Sequence, residues 1–382
     1  MKKINLLFLS LFCLTFIKCK QNSISPLEKR WSEQRAWDWQ KENGWMVGTN
    51  FNPSNSINQL EFWQEDTYDP VIIEKELEWS AELGMNLHRV YLHNLLWDQD
   101  SLGFLKRIEN YLKIADNKNI KTLFVLFDDC WHPAPKLGNQ PDPTPFVHNS
   151  QWVQAPGALI LGDSLRHKEL KSYVKGVISN FADDKRVVGW DIYNEPGNEA
   201  LNLKGHNKFE IKENKHIFTL SLIKKAFNWA REVNPSQPMT SCIWKASGED
   251  KNWSKLDSLS DLSRFTISNS DVISFHTYGN IEEMRLRVEQ LEIYNRPILC
   301  TEYLARGQGS TFQEILPLLK EKQISAINWG FVAGKTNTIF PWSSWEQEFD
   351  SLPKIWHHDV YLPDKTPYDQ NEIDFIKEIL ID

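Results

Sequence analysis

The sequence predicts an α/β protein folded as a (β/α)8 TIM barrel with long loops after strands three and eight. Three observations point there. Eight short runs rich in β-branched and aromatic residues alternate with helical runs. That is the element pattern an eight-fold barrel demands. Two long irregular stretches, 131–165 and 333–369, each follow a strand. Finally, the first strand runs into Thr49-Asn50-Phe51-Asn52-Pro53. A doubly wound sheet, the alternative, would want a glycine-rich phosphate turn at that point.

In order, the strands are expected at 45–51, 86–93, 121–127, 187–193, 239–244, 272–278, 298–303 and 324–331. A polar, Trp-rich stretch from Trp31 to Gly44 precedes the first. Helices are expected near 70–83, 103–118, 167–182, 215–233, 281–294 and 311–322, with a weaker one near 255–262 and a last one at 370–381. Asp69-Pro70 opens the first of these and Gly84 closes it, since Pro suits the first turn and Gly the C-terminal cap. Both long loops should rise on the C-terminal face, where barrel active sites sit, and loops of that length serve as walls or lids.

The chain has 382 residues, a net charge of −8 and 41% hydrophobic residues. That composition is globular, and its acidity argues against nucleic acid, which would require a basic stripe. Tryptophan is unusually abundant at 17 residues, suggesting a cleft with flat, amphipathic walls. Residues 1–18 read as an export signal: Lys2 and Lys3 precede an apolar stretch from Ile4 to Ile17, too short to span a bilayer. Its end, Thr15-Phe16-Ile17-Lys18-Cys19, resembles a bacterial lipoprotein cleavage site with Cys19 as the lipidated residue, although Lys18 stands where such signals place a small residue. Residues 19–30 then form a polar tether and 31–382 a single barrel domain, held in the cell envelope or secreted. Cys130, Cys242 and Cys300 fall on separate strand-like runs without CxxC or zinc spacing. They read as buried free thiols.

The sharpest local signal is Trp190-Asp191-Ile192-Tyr193-Asn194-Glu195-Pro196. An apolar strand ends on Asn-Glu, and Pro196 stops it. A second apolar strand, Pro297-Ile298-Leu299-Cys300-Thr301, ends on Glu302. As strands four and seven, the two open on one face across the barrel mouth. Paired carboxylates across a cleft are what glycoside hydrolysis requires, one as acid and one as nucleophile or base.

With these residues the chain resembles glycoside hydrolase family 5 and its clan of retaining (β/α)8 glycosidases, over roughly residues 45–345. The resemblance rests on Asn194-Glu195-Pro196 and Glu302, with Arg89, His276, Tyr278 and Trp329 in matching order. It implies that Glu195 is the acid/base and Glu302 the nucleophile, with their carboxyl groups about 5–5.5 Å apart. It also implies that Asn194 bonds the sugar 2-hydroxyl, that Arg89 and Tyr278 contact Glu302, that His276 lines the site, and that Trp329 stacks beneath the attacked sugar. A histidine following strand three often lies close to substrate in this clan, which points to His132. Glu195 should be the less well paired acid.

Asp128-Asp129-Cys130-Trp131-His132 carries metal-ligand types, but no second cluster with ligand spacing accompanies it, and Asp128 or Asp129 can cap loop amides instead. No metal and no cofactor are expected. Of His88 and His93, alternation favours His93, which shares a strand face with residues 89 and 91. Trp97, Trp131, Trp152, Trp244, Trp342 and Trp345 are candidate sugar platforms. The expected substrate is a β-linked, plausibly β-1,4-linked, poly- or oligosaccharide such as mannan, xylan or glucan. The competing readings are a non-catalytic glycan-binding barrel on the envelope and a metallohydrolase on the same fold. No protein partner is implied, and membrane contact is expected only through the lipid anchor. Metabolic labelling with palmitate tests that anchor: the full chain should take up label and Cys19→Ala should not.

Overall fold

The computed structural model describes residues 30–199 and 214–381. The signal segment, Cys19 and all but the last residue of the tether therefore lie outside the described residues. Eight parallel strands run β5-β4-β3-β2-β1-β8-β7-β6 around the molecule. They are β1 (Val47–Asn50), β2 (Leu87–Tyr91), β3 (Lys121–Asp128), β4 (Val187–Asn194), β5 (Met239–Thr240), β6 (Ile273–His276), β7 (Ile298–Glu302) and β8 (Ser325–Trp329). All eight fall within or at the edges of the stretches read from sequence. The seam between β5 and β6 closes just past the end of β5, where Ile243 bridges Phe275. Ile243 N–H bonds Ser274 O at 3.0 Å, and His276 N–H bonds Ile243 O at 3.1 Å. The sheet is thus a (β/α)8 barrel, and its strand ends converge on one mouth.

Short helices at Gln59–Trp63 and Ala158–Leu161 stand where none was expected, and the longer helices depart from expectation in three places. The helix expected near 103–118 begins earlier, at Asn94, and bends at Asp100. The weak helix near 255–262 is a short turn, Leu256–Ser258, followed by a helix at Asp261–Asn269. Ser260 starts the latter, its hydroxyl accepting Ser263 N–H. The polar, Trp-rich stretch is itself helical over Glu33–Asn43, with Ser32 as its cap. Its apolar stripe is narrow and its charged face wide, so only the first strand signal stood out in the sequence.

That N-terminal helix seals the bottom of the barrel. Trp31 and Ala36 pack with Met46, Leu87, Leu123, Val188, Val272, Leu299 and Ile327, which come from the lower ends of seven strands. Indole N–H groups tie it to the rim, Trp39 to Val188 O at 3.0 Å and Trp37 to Asn295 O at 3.1 Å. Asp271 is the polar anchor of this end. Its carboxylate accepts Trp31 N–H at 2.8 Å, Met239 N–H at 2.8 Å and two guanidinium bonds from Arg231 at 2.7 Å each. Asp271 and Arg231 are both buried. Removing one partner of such a pair strands the other charge away from water. Asp271→Ala should therefore cost about 3–5 kcal/mol in urea unfolding, far more than removal of an exposed carboxylate.

Candidate active site

The upper half of the barrel interior is built around one buried guanidinium. Arg89, on β2, is fully buried and reaches side chains of β1, β4 and β7 as well as its own strand. Its Nε and Nη2 bond Asp191 Oδ2 at 3.0 and 2.8 Å, Nη2 also bonds Asn194 Oδ1 at 2.7 Å, and Nη1 bonds Asn50 Oδ1 at 2.7 Å. Nη1 further donates to Tyr91 Oη at 2.6 Å and to Glu302 Oε1 at 2.9 Å. One cation thereby fixes side chains from β1, β4 and β7.

Glu302 receives three side chains. Arg89 and Tyr91 both donate to Oε1, Tyr91 at 2.8 Å, and Tyr278 donates to Oε2 at 2.7 Å. A carboxylate facing a guanidinium and two phenolic donors is held in one orientation by charge-assisted hydrogen bonds. The strand register assists. β6 and β7 slip by one residue past Thr301, so that His276 pairs with Glu302.

Glu195 sits one residue beyond β4 with φ +39°, a backbone state that non-glycine residues rarely adopt. Its amide is held by Cys242 Sγ at 3.2 Å. No Lys or Arg bonds its carboxylate among the described residues. Oε2 accepts Asn198 Nδ2 at 2.6 Å and the Cys130 thiol at 3.2 Å, and Oε1 faces His276 Nδ1 at 2.9 Å. Burial pushes the Glu195 carboxyl above its ordinary range, against the pull of the Cys130 and Asn198 hydrogen bonds and the more distant Arg89. Burial likewise pushes His276 down to about 3, so its ring is neutral at working pH. Its Nε2 is buried without a partner, and its Nδ1 lies between the two acids, 2.9 Å from Glu195 Oε1 and 3.4 Å from Glu302 Oε2.

One oxygen of each glutamate and a ring nitrogen of His276 all lie within 4.8 Å of one another. A carboxylate–histidine trio of that size could in principle hold a metal ion. Here both Glu302 oxygens already face donors, and an added cation would sit against Arg89, which disfavours that use.

The trio opens into a cavity of about 550 Å³, within the range of small-molecule sites. Glu195, Glu302, Asn194, Tyr278 and Trp329 line it, together with Trp131, Trp152, Trp244, Trp342 and Trp345. No Lys or Arg appears among its described lining residues. Trp329 is held edge-on by Tyr91 and Trp152, at 5.8 and 5.7 Å between ring centroids.

The loops after β3 and β8 are joined over this cavity. Asn149 N–H bonds Thr336 O at 2.7 Å, His148 N–H bonds Ser344 Oγ at 3.0 Å, and His148 Nδ1 donates to Phe340 O at 2.8 Å. Trp131 and Trp345 stack across the same seam at 6.0 Å.

The structure therefore brings together Arg89, Asn194, Glu195, His276, Tyr278, Glu302 and Trp329. Three expected residues lie elsewhere. His132 does not line the cavity; its Nδ1 accepts Ala134 N–H at 3.2 Å and its backbone pairs with Val153. Cys130 and Trp131 occupy the wall where His132 was expected, because the chain turns outward at Trp131, φ +67°. His93 caps a helix, accepting Leu95 N–H through Nδ1 and bonding Gln154 O through Nε2. Trp97 packs beneath the barrel rim against Gly176. Asp128 and Asp129 cap loop amides, at Cys130 N and Gly197 N, and the three cysteines are buried free thiols.

Sequence reasoning missed Tyr91, Asn198 and His148. Tyr91 was within reach, since alternation places it beside Arg89. His148 lies mid-loop, and no local pattern signals it.

No family model matches the chain, and no curated protein matches it in sequence. Solved structures do. GH5_18 from Streptomyces cattleya, in a variant bound to Manβ1-4GlcNAc, is 12% identical with a TM-score of 0.54, over 88% of this chain and 80% of that one. An endo-1,4-β-D-mannanase from Thermotoga petrophila is 11% identical with a TM-score of 0.51, over 87% of this chain and 99% of that one. A β-glucuronidase from Bifidobacterium dentium, 12% identical with a TM-score of 0.54, matches 88% of this chain but only 47% of its own length. The likeness is one of fold. It places this chain among (β/α)8 barrels that include glycosidases.

Proposed function

We propose that this protein is a retaining β-glycoside hydrolase. The observation that carries the reading is the pairing of two glutamates from strand ends that face each other across the barrel mouth, Glu302 buried and Glu195 nearly so, with oxygens within 4.8 Å and unlike surroundings. Glu302, set between Arg89, Tyr91 and Tyr278, attacks the anomeric carbon. Glu195, raised by burial, protonates the departing oxygen. A covalent glycosyl-enzyme forms. Glu195, now ionised, takes a proton from water as that water attacks the same carbon, and the sugar leaves with its configuration retained. The spacing suits this route. An inverting enzyme keeps its carboxyl groups about 6.5–9.5 Å apart to seat a water.

In this reading Asn194 bonds the sugar 2-hydroxyl, and Trp329, its plane fixed by Tyr91 and Trp152, stacks under the attacked ring. The six tryptophans of the cavity wall favour a carbohydrate over other ligands, since flat indoles match the apolar faces of pyranose rings. A β-1,4-linked glycan fits best, and mannosyl linkages lead the candidates, in keeping with the mannanase and the Manβ1-4GlcNAc complex among the structural neighbours. The bonded loops after β3 and β8 close one flank of the cavity, which favours short oligosaccharides or chain ends. Export as an envelope lipoprotein through Cys19 belongs to the same reading. A retained glutamate pair counts against a non-catalytic glycan binder.

Turnover of 4-nitrophenyl β-glycosides, with product size read by chromatography on manno-, xylo- and cello-oligosaccharides, tests it directly. Glu302→Ala should abolish activity, and wild-type turnover in that variant would overturn the assignment. Glu195→Ala should lose about 10²–10⁴-fold on poor leaving groups, and on 4-nitrophenyl glycosides, whose phenolate departs without a proton, azide should restore turnover by taking the sugar from Glu302 as a β-glycosyl azide. Tyr91→Phe removes one donor from an ionised group and should lower kcat/KM about tenfold or more.

A further inference from the structure

The cysteines were read from sequence as inert packing, yet two of the three touch the same glutamate. Cys242 Sγ accepts the Glu195 amide proton at 3.2 Å. Cys130 Sγ lies 3.2 Å from Glu195 Oε2 and lines the cavity. We propose that Cys130 is a positioning residue for Glu195, its thiol donating a hydrogen bond that fixes the carboxyl rotamer and favours the ionised form. This rests on the reading of Glu195 as the acid/base.

The placement of the thiol proton follows from the neighbours. Asn194 Nδ2 and Asn198 Nδ2 approach the same sulfur at 3.4 and 3.5 Å, and both are donors. Two carboxylates lie beside the sulfur, but Asp128 already accepts from Cys130 N–H, Trp152 and Asn194, so the S–H is directed to Glu195 Oε2 at 3.2 Å. The thiol also stays protonated. Burial, with Asp128, Glu195 and Glu302 nearby, pushes it well above its ordinary range, so it remains a donor while Glu195 cycles.

An acid/base group must hold a proton in one step and release it in the next, so a donor to its charged form has to be modest. S–H is a weak donor and O–H a stronger one. The other groups that face Glu195 are Asn198 from its own loop, His276 and Tyr278 from β6 and its end, Glu302 from β7, Cys242 after β5 and Arg89 from β2. His276 is neutral, and Arg89 and Glu302 oppose one another. The contribution of the thiol is therefore separable by substitution.

The test is graded. Removing the donor, Cys130→Ala, should raise the Glu195 titration midpoint. Strengthening it with a near-isosteric hydroxyl, Cys130→Ser, should lower it. Each shift should be about half a pH unit or more. The midpoint is read by carbon-13 NMR of protein labelled at the glutamate carboxyls, the Glu195 resonance being the one lost in Glu195→Gln. The alkaline limb of kcat/KM on 4-nitrophenyl β-D-mannopyranoside should move in the same order. A role in packing alone would leave the midpoints together or move both variants the same way, and either result overturns the proposal. If Cys130→Ala does not fold, the downward shift in Cys130→Ser decides alone. If the NMR order holds while no aryl glycoside is cleaved, the glycosidase reading fails and the thiol–carboxyl bond stands. If turnover proceeds without the order, the reverse is true.

Discussion

A single buried guanidinium organises the catalytic half of this barrel. Arg89 is isolated from solvent and satisfies Asp191, Asn194, Asn50, Tyr91 and Glu302 at once. Burying an unpaired cation would be prohibitive, so the cation dictates what surrounds it. Asp191 lies against it with two bonds to one oxygen. Glu302 shares the remaining donors, with one oxygen on the guanidinium side and the other on Tyr278. Asn194 is fixed through its carbonyl, which leaves its amide group turned to Asp128 and the cavity edge. Arginine suits this position better than lysine because its planar fork supplies several donors in fixed directions.

The same arrangement separates the two glutamates chemically. They share a pocket and nearly touch, yet only Glu302 bonds the cation. Glu195 is left with an amide, a thiol and a neutral imidazole, in a wall dominated by indoles. Burial without a paired charge favours the protonated acid. Two carboxyls of identical chemistry are thus given unlike partners by their surroundings alone, as double displacement requires. The left-handed backbone at Glu195 belongs to the same design. A residue leaving β4 in extended geometry would continue the strand, whereas the turn at φ +39°, followed by Pro196, brings the side chain back over the mouth.

Much of this was legible in the sequence. Strand-like runs ending on Glu195 and Glu302 gave both acids, and the family resemblance carried by Arg89, His276, Tyr278 and Trp329 gave their neighbours; all of them lie on strands or just past their ends, where the chain is regular. The legible part ends where strands end. His132 was expected at the wall, but the chain reverses its path at Trp131, and a turn of that kind leaves no mark in composition. His148 reaches the cavity only because its loop bonds to the one after β8, a contact nearly two hundred residues distant along the chain. The N-terminal helix was hidden for another reason. It buries a narrow stripe against the barrel bottom, and its tryptophans work through indole N–H bonds to strand ends more than through a broad apolar face.

These contrasts divide the molecule into parts with different freedom to change. The barrel bottom, with Asp271 and the sealing helix, answers only to stability. The ring of strand ends around Arg89 answers to the chemistry, and each member is bonded to two or more others, so single changes there propagate. The indole-lined wall from the loops after β3 and β8 has a seam of its own, held by backbone groups, His148, Ser344 and stacked rings. It meets the strand-end ring at two tryptophans: Trp152 packs edge-on against Tyr91 and donates to Asp128, and Trp342 packs edge-on against Tyr278. Substitutions at Trp131 or Trp345 in the seam should therefore act on glycan preference, while those at Trp152 or Trp342 should alter bond-breaking power as well.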